Sequence, residues 1–483
     1  MPSRSVHVAV IGAGAAGLVA ARELRRAGHL PVVFERAAAV GGTWVYDDGA
    51  PTDDPLGAGG THSSLYASLR TNIPRECMGF FDFPFVAVEG AGDPRRYPGH
   101  EEVLRYLQEF ARRFDLNGLV RLETEVLRVR RDDTSAASWR VSYRSTKLPD
   151  GGSEQVEDEA FDAVLVCNGH FAEPRLADIT GIDGWPGKQI HSHSYRVPDP
   201  FQGQVVVIIG YHPSGMDISR DIAGVAKEVH VAIRSEPPFE MHRTTAHANL
   251  WLHSMIERAQ KDGSVVFQDG SRVKADVILH CTGYKYSFPF LGDDDETIGI
   301  HVDDNRVGPL YKHVFPPHLA PQISFIGLPF KGIPFPLFQL QSNWVAGVLS
   351  GRIELPSENE MMHDVASFYL EMEARGCPKR YTHGLELTVC ACTYVIDARA
   401  LVIKLVSKLI TTITLLINSV LRLKFEYEDW LVEKCEMENI EEWRKVINLA
   451  VRAKVSDHPE SYRDQWDDDH LVTQAHHDFT KYL

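Results

Sequence analysis

Short apolar runs, each followed by a glycine-rich turn, occur twice along the chain. The first run is Val6–Ile11 and the second is Val205–Ile209. Short apolar runs that are bounded by turn residues are typical of buried parallel strands. A helical pattern follows each turn, from Leu18 to about Ala27 in the first case and over Met216–Ala223 in the second. The pattern therefore predicts two strand–turn–helix units within an α/β fold.

The first turn has the spacing of a dinucleotide-binding turn, with glycines at Gly12, Gly14 and Gly17. Gly12 permits the tight turn, Gly14 lets the backbone approach a pyrophosphate, and Gly17 lets the helix pack closely on the strand. A second predicted strand, Pro31–Phe34, ends at Glu35, whose carboxylate can accept hydrogen bonds from ribose hydroxyls. Strand, turn, helix, strand and acid together predict a nucleotide site.

The second turn is a variant of the first and reads Gly210, Tyr211, His212, Pro213, Ser214 and Gly215. His212 occupies the position of the middle glycine. The next predicted strand, Val229–Ile233, ends at Arg234, and an arginine at that position suits the 2′-phosphate of NADP. An ordinary surface arginine is the alternative. Two such turns suggest two nucleotides held face to face, which points to redox chemistry between a flavin and a nicotinamide.

The composition is that of a globular protein and excludes several function classes. The 483-residue chain has 24% charged and 44% hydrophobic residues and a formal net charge of −16. This charge argues against nucleic acid and against an anionic membrane surface as partners. The seven cysteines are scattered and odd in number, so we expect no disulfide framework and a reducing compartment, most simply the cytoplasm. We expect no metal site, and the N-terminus carries no pattern of a signal peptide.

A third pattern lies between the two turns. The segment from Trp185 to Tyr195 resembles the FxGxxxHxxxY/F signature of flavin-containing monooxygenases, with tryptophan in place of the first phenylalanine. Gly41-Gly42-Thr43-Trp44 resembles a flavin-contacting segment of that family, and Cys281-Thr282-Gly283-Tyr284 resembles its ATGY linker. Residues 68–76 and 347–352 resemble the plant S-oxygenase-like branch, which includes glucosinolate S-oxygenases.

The resemblance implies a fold with two Rossmann-like dinucleotide-binding domains of the three-layer ββα/βαβ type. The NADP domain is expected to be inserted into a discontinuous FAD domain. In this division residues 1–190 and 285–384 form the FAD-binding domain, and residues 191–284 form the NADPH-binding domain. Residues 385–424 form an atypical apolar insertion, and residues 425–483 form a helical cap.

The resemblance also implies the chemistry. In this family NADPH reduces FAD, the reduced flavin captures O2 as a C4a-hydroperoxide, and a soft heteroatom takes one oxygen atom. We expect the substrate to be a small thioether that is converted to a sulfoxide. The alternatives are an amine that undergoes N-oxygenation, oxidative decarboxylation, or an inactive nucleotide-binding homologue in which residues 385–424 disrupt the site. The substrate itself and the oligomeric state are not predicted.

Site residues follow from the match of this sequence to the family motifs. The resemblance implies that the first turn holds the FAD pyrophosphate and Glu35 its ribose, while Gly42 and Trp44 line the flavin. It implies that the second turn holds the NADP pyrophosphate through these residues: Gly210, Ser214 and Gly215. It implies that Arg234 binds the 2′-phosphate. His191 and Tyr195 are expected to shape the domain junction rather than to touch substrate.

Two polar residues match family positions close to the flavin. Asn72 matches an asparagine beside the flavin and NADP+, which makes it the candidate catalytic residue, with a loop-capping role as the alternative. Gln341 matches a glutamine near the isoalloxazine ring, with a position on a helix surface as the alternative.

Residues 385–424 depart from the family pattern. The run from Leu401 to Leu421 is apolar but contains Lys404 and Lys408, which argues against a membrane span. On a helix these lysines share one stripe, so the run has the pattern of an amphipathic helix. A packed extra helix, attachment to a membrane surface through residues 401–422, and a non-functional insertion remain the three interpretations.

Overall fold

The computed structural model describes residues 5–49, 54–57, 63–132, 139–147, 155–235, 239–244, 246–292, 298–385 and 425–483. Its helices are α1 (Ala15–Arg26), α2 (Arg75–Met78), α3 (His100–Arg113), α4 (Pro213–Ala223), α5 (Pro334–Leu349), α6 (Glu358–Ala374), α7 (425–435), α8 (Glu442–Asp457) and α9 (Asp469–Phe479). Its strands are β1 (His7–Ile11), β2 (Leu30–Phe34), β3 (Val120–Arg121), β4 (Thr124–Arg131), β5 (Trp139–Ser145), β6 (Val156–Phe161), β7 (Ala163–Val166), β8 (Glu173–Pro174), β9 (Lys188–His191), β10 (Val205–Ile209), β11 (Glu228–Ile233), β12 (His242–Arg243), β13 (Leu250–Ser254), β14 (Ile256–Ala259), β15 (Ser264–Phe267), β16 (Arg272–Lys274), β17 (Val277–His280), β18 (Tyr284–Lys285), β19 (His301–Asp303), β20 (Arg306–Gly308) and β21 (Ile323–Phe325).

The described residues divide into two compact units. The first unit takes its residues from Met1–Gly42, Ile73–Gly169 and Ser287–Leu483, and the second from Thr43–Asn72 and His170–Tyr286. Each unit contains a sheet of mainly parallel strands with a helix that follows a glycine turn. The predicted α/β fold class is therefore confirmed.

The sheet of the first unit has the strand order β21-β7-β1-β2-β3, and all its neighbouring pairs are parallel. Parallel sheets need cover on both faces because their strands are apolar throughout. α1 supplies part of this cover, since its residues from Ala15 to Leu24 are all buried. Val8, Val10 and Trp344 lie in the same apolar core as this helix. A separate antiparallel sheet, β4-β5-β6, belongs to the same unit.

The sheet of the second unit has the order β12-β13-β11-β10-β17-β9, and only its β12–β13 edge is antiparallel. All five residues of β10 are buried. Side chains alternate between the faces of a strand, so Val206 and Ile208 enter one apolar core while Val205, Val207 and Ile209 enter the other. β10 is therefore covered on both faces, as the uninterrupted apolar run predicts.

The C-terminal helices α7, α8 and α9 belong to the first unit. The side chain of Arg444 on α8 is completely buried. Its Nη1 donates to the carbonyl oxygens of Glu76, Cys77 and Gly79 at 3.3, 2.7 and 3.2 Å. These carbonyls lie at the C-terminal end of α2, where helix carbonyls have no partner within the helix. Arg444 therefore fixes the C-terminal region to α2.

The predicted apolar insertion lies outside the described residues, apart from Leu385. The backbone N–H of Leu385 donates to the carbonyl oxygen of Phe330 at 3.1 Å. Within the described ranges, every helix is too short or too polar to cross a membrane.

Candidate cofactor site

In the first glycine turn, packing within the protein itself requires glycine at two positions. Gly12 has φ +104°, and a Cβ on it would lie 2.6 Å from the carbonyl oxygen of Cys167. A Cβ on Gly17 would lie 1.8 Å from the carbonyl oxygen of Gly12. Real Cβ atoms do not approach backbone oxygens so closely. Glycine at both positions therefore lets β1, the turn and α1 come together.

Gly14 differs from these two glycines because packing within the protein does not require it. A Cβ there would meet nothing closer than the Cα of Gly42, at 3.5 Å, which is an ordinary contact. Gly14 is the N-cap of α1, and no side chain caps the helix. The N–H groups of the first turn of α1 are thus available to an anion. Open space beside an uncapped helix N-terminus fits the pyrophosphate of a dinucleotide.

Gly42 closes this turn from the other side. It has φ +57°, and a Cβ on it would lie 2.8 Å from the Cα of Gly14. The backbone N–H of the preceding Gly41 donates to the carbonyl oxygen of Ala13 at 3.0 Å. The predicted flavin-contacting segment therefore begins in backbone contact with the nucleotide turn of the first unit.

Glu35 joins the end of β2 to the same turn. Its carboxylate is only 3% exposed. Oε2 accepts a hydrogen bond from the N–H of Ala13 at 2.8 Å, and Oε1 accepts one from the N–H of Ala37 at 2.9 Å. A carboxylate oxygen accepts more than one hydrogen bond. The position is therefore compatible with a contact to ribose, and the carboxylate also orders the turn.

The second turn repeats the geometry of the first. Gly210 has φ +98°, and a Cβ on it would lie 2.7 Å from the carbonyl oxygen of Cys281. A Cβ on Gly215 would lie 2.1 Å from the carbonyl oxygen of Gly210. His212 has φ −85° and ψ −179°, close to the φ −76° and ψ −172° of Gly14. The backbone at the middle position is extended, so a histidine fits there without strain, and α4 also lacks a side-chain cap.

Sequence reasoning missed the part played by two cysteines. Cys167 follows β7 and Cys281 follows β17, and the Cβ of each lies 3.5 Å from where a Cβ on Gly17 or Gly215 would stand. Burial raises the pKa of both thiols, that of Cys281 to about 12. Both thiols therefore stay protonated at neutral pH and act as small packing groups under the turns. The only signal in the sequence is their place directly after an apolar strand.

The signature segment is a structural part of the second unit. A Cβ on Gly187 would lie 2.2 Å from a ring carbon of Trp185, so the glycine leaves room for that indole. The buried His191 donates from Nε2 to the carbonyl oxygen of Gly283 at 3.1 Å and accepts at Nδ1 from the N–H of His193 at 3.0 Å. Burial lowers the pKa of His191 to about 3. A neutral histidine therefore ties the signature to the Cys281–Tyr284 motif.

Arg196, directly after the signature, is a second residue that sequence reasoning missed. It is 8% exposed, and within the described part of the chain its guanidinium donates to four carbonyl oxygens. Nε donates to Asp47 at 2.6 Å, Nη1 to His193 and Tyr195 at 2.8 and 2.9 Å, and Nη2 to Ser63 at 2.8 Å. These bonds attach Asp47 and Ser63 to the second unit, whereas the sequence-based division placed both residues in the first domain. No local pattern signals this, because the acceptors are backbone atoms.

The remaining candidates are distributed over both units. Asn72 and Arg234 are exposed residues of the second unit, and Trp44 is a half-buried one. Gln341 is completely buried in the first unit. Its Oε1 accepts from the N–H of Gly327 at 2.9 Å, and its Nε2 donates to the hydroxyl of Tyr427 at 3.0 Å. The alternative of a helix-surface glutamine does not apply, and a contact of Gln341 with the flavin stays a prediction.

Comparison with known proteins identifies the family. The family model described as flavin-binding monooxygenase-like matches residues 5–261 and 247–403. The chain belongs to the flavin-binding monooxygenase family. FAD and NADPH are the cofactors of this family, and the two turns described above fit two nucleotides. The predicted resemblance and the predicted enzyme class are thereby confirmed. Among the described residues of this monooxygenase, no group of three or more His, Cys, Asp or Glu side chains is arranged to hold a metal ion.

Similar proteins match this monooxygenase along its length. The Arabidopsis thaliana flavin-containing monooxygenase FMO GS-OX-like 2 is 53% identical over 491 residues, covering 100% of this chain and 96% of that protein. The structure of S-allyl-L-cysteine S-oxygenase from Allium sativum is 51% identical, with a TM-score of 0.87 and coverage of 100% of both chains. Tmm from Pelagibacter sp. strain HTCC7211 shares the fold, with a TM-score of 0.73 at 22% identity and coverage of 95% of this chain and 93% of that chain.

Proposed function

We propose that this monooxygenase transfers one oxygen atom of O2 to the sulfur of a small thioether and forms a sulfoxide. The similarity to an S-allyl-L-cysteine S-oxygenase, 51% identical over the whole of both chains, carries this proposal. In the balanced reaction a thioether, O2, NADPH and a proton give a sulfoxide, NADP+ and water. NADPH is oxidised, and the second oxygen atom leaves as water.

The first turn is the proposed binding site for the FAD pyrophosphate, with Gly14 at the point of closest approach. The uncapped start of α1 and the open space beside Gly14 support this assignment. Glu35 binds the adenosine ribose while it keeps its bond to Ala13. When bound, FAD supplies the two-electron chemistry and the activation of O2. The protein's own task is to orient the cofactor and to exclude water.

The second turn is the proposed binding site for the NADP pyrophosphate, through the backbone at Gly210, Ser214 and Gly215. Its repetition of the backbone geometry of the first turn supports this assignment. Arg234 follows β11, and its exposed guanidinium is free to pair with the 2′-phosphate. Asn72 is the proposed amide donor beside the flavin.

The proposed substrate needs no acid–base machinery in the protein. A thioether sulfur is a soft nucleophile with a lone pair and carries no proton that must be removed. The buried thiols and His191 are uncharged near pH 7, as their shifted pKa values require. The role of the site is therefore to position the substrate and to keep water away from it.

Product analysis under 18O2 tests the proposal. The FAD-loaded protein is supplied with NADPH and one of three substrates: S-allyl-L-cysteine, a tertiary amine or an indole 2-oxo acid. NADPH, O2 and peroxide are followed together with product mass. We expect a sulfoxide carrying one 18O atom, with little peroxide. An N-oxide or released CO2 as the preferred product would replace the proposal with one of its alternatives. NADPH oxidation that yields only peroxide, or no oxidation by flavin-loaded protein, would refute oxygen transfer.

A cytoplasmic location is proposed from the cysteines. The five cysteines within the described ranges are all buried, and none of them forms a disulfide. Disulfides are rare in reducing compartments, which is consistent with this pattern. Fractionation of cells that express the full chain tests the location. Recovery with membranes, repeated by sedimentation of the purified chain with liposomes, would instead support attachment through residues 401–422.

A further inference from the structure

The helix that starts at the second glycine turn carries two carboxylates one turn apart, at Asp217 and Asp221. Residues four apart lie on the same face of a helix. The hydroxyl of Tyr195 donates to Oδ2 of Asp221 at 2.6 Å. The hydroxyl of Ser68 donates to the same oxygen at 2.8 Å. The hydroxyl of Tyr66 donates to Oδ2 of Asp217 at 3.2 Å. One face of α4 thus holds the signature and residues 66–68.

Arg196 also binds this stretch, through both its backbone and its side chain. The carbonyl oxygen of Arg196 accepts from the N–H of Ala67 at 2.9 Å, while its guanidinium binds the carbonyl of Ser63. The rings of Tyr66 and Tyr195 pack edge to face with centroids 5.6 Å apart. Residues 63–69 are therefore fixed at several points within the second unit.

The two hydrogen bonds to Asp221 are shorter than the bond to Asp217. Hydrogen bonds to a carboxylate are shorter and stronger than bonds between neutral groups. Tyr195 is 1% exposed, and burial together with the bond to Asp221 raises the pKa of its hydroxyl, which therefore stays a donor. Ser68 is exposed, so its bond to Asp221 orders a residue that packing does not hold. Only three residues separate Ser68 from Asn72.

We infer that Asp221 is a positioning residue that fixes residues 63–72, and with them Asn72, to the helix of the second nucleotide turn. The inference rests on the proposed function, which assigns NADP to that turn and the flavin to Asn72. α4 presents its N-terminus to the nucleotide and its side face to the segment that carries Asn72. Asp221 therefore sets the register between the bound nicotinamide nucleotide and Asn72, and this register determines how much NADPH oxidation is coupled to oxygen transfer.

Asp221→Ala removes both hydrogen bonds and is the first test. Amide hydrogen exchange of the FAD-loaded protein without substrate reports directly on residues 63–72. We expect exchange in this segment to become at least tenfold faster, while FAD content stays that of the unmodified protein. With NADPH and a thioether, we expect the fraction of NADPH that ends as peroxide to rise severalfold. Asp221→Asn keeps an acceptor oxygen, so it should recover part of both effects.

Two variants that each lose a single hydroxyl, and one matched control, distinguish the loss of bonds to Asp221 from a general loss of structure. Tyr195→Phe and Ser68→Ala each remove one hydroxyl that binds Asp221, and each should reproduce part of the faster exchange. Asp262→Ala makes the same chemical change at an exposed carboxylate that pairs with Arg272 in the same unit, and it should change neither readout.

Two results would overturn the inference. Unchanged exchange over residues 63–72 in Asp221→Ala, Tyr195→Phe and Ser68→Ala would mean that Asp221 does not hold the segment. Faster exchange with unchanged peroxide release would mean that the segment is held but that its position does not govern coupling. Failure of the proposed function is visible separately, because the unmodified protein would then bind no NADP+ in calorimetry or form no oxygenated product.

Discussion

Individual glycines of the first turn serve different purposes, which their surroundings distinguish. Gly17 is needed by the protein itself, since a Cβ there would lie 1.8 Å from a backbone oxygen. Gly14 has ordinary space around it, so its lack of a side chain benefits a ligand rather than the fold. The sequence motif contains both glycines and does not distinguish their roles. Only the local geometry separates a requirement of folding from a requirement of binding.

Two alanine substitutions test this distinction. Gly17→Ala should lower the free energy of unfolding by about 3 kcal/mol, because a backbone clash must be relieved. Gly14→Ala should leave the free energy of unfolding of the FAD-free protein within about 0.5 kcal/mol of the original, as for changes that disturb no packing. It should, however, lower FAD content after purification. Urea unfolding and the ratio of flavin to protein absorbance measure the two effects. Normal FAD content in a Gly14→Ala protein of unchanged stability would refute the proposed contact between the FAD pyrophosphate and the backbone at Gly14.

Residue-level prediction from sequence succeeded where the chemistry is local. Glu35 could be singled out because it ends the second strand, and the structure places its carboxylate against the first turn. Cys167 and Arg196 could not be singled out. Cys167 lies beside Gly12 and Gly17, which are distant in the chain. Arg196 binds backbone carbonyls, of which those of Asp47 and Ser63 are distant in the chain, and carbonyl acceptors carry no sequence signal.

At the scale of elements, apolar runs predicted strands better than they predicted helix starts. Val205–Ile209 is a strand over the predicted residues. α4 begins at Pro213, three residues before the predicted start at Met216, and α1 begins at Ala15 rather than at Leu18. The first turn of each helix consists of small residues and glycine that show no apolar periodicity. The glycine turn sets their helical conformation, and apolar periodicity alone therefore does not predict where each helix begins.

The docking of α8 depends on Arg444, which leads to a prediction for that element. Arg444→Ala would leave three buried carbonyl oxygens without their donor, together with the partner carboxylate of Glu441. We expect the free energy of unfolding to fall by about 3 kcal/mol. Lys445→Ala is the matched control, because its ion pair with Asp429 is near the surface and should contribute less than about 1 kcal/mol. Equal losses of unfolding free energy in the two variants, measured by urea unfolding, would show that Arg444 does not fix α8 to α2.

For the whole molecule, the division into units was the part least accessible from sequence. The two glycine turns predicted two nucleotide-binding units. The assignment of residues 43–72 to the second unit depends on the carbonyl contacts of Arg196 and on the carboxylates of α4. Asp217 and Asp221 have the spacing of an ordinary solvated helix face. Their partners come from another part of the chain, so no local pattern reveals them.

Buried histidines make the stability of the molecule dependent on pH. His191, His253 and His280 are at most 1% exposed, and burial lowers their pKa values to about 3, 4 and 4 from an ordinary 6.5. The unfolded chain therefore binds more protons than the folded one below pH 6.5. The contribution of these histidines to the free energy of unfolding is therefore full well above pH 6.5 and is lost as the pH drops towards 4. At pH 5.5 each of these histidines should lower the free energy of unfolding by about 1.4 kcal/mol.

His280→Gln isolates one of these contributions. His280 accepts from the N–H of Ala177 and donates to Oε1 of Gln189, at 3.3 and 3.2 Å, and a glutamine amide offers the same two functions without a titrating group. The loss of unfolding free energy between pH 7.5 and pH 5.5, measured by urea unfolding with tryptophan fluorescence, should shrink by about 1.4 kcal/mol. His301→Gln, at an exposed histidine of the first unit, should leave the loss unchanged. A loss in His280→Gln equal to that of the unmodified protein would mean that protonation of His280 does not oppose folding, and that the acid sensitivity has another source.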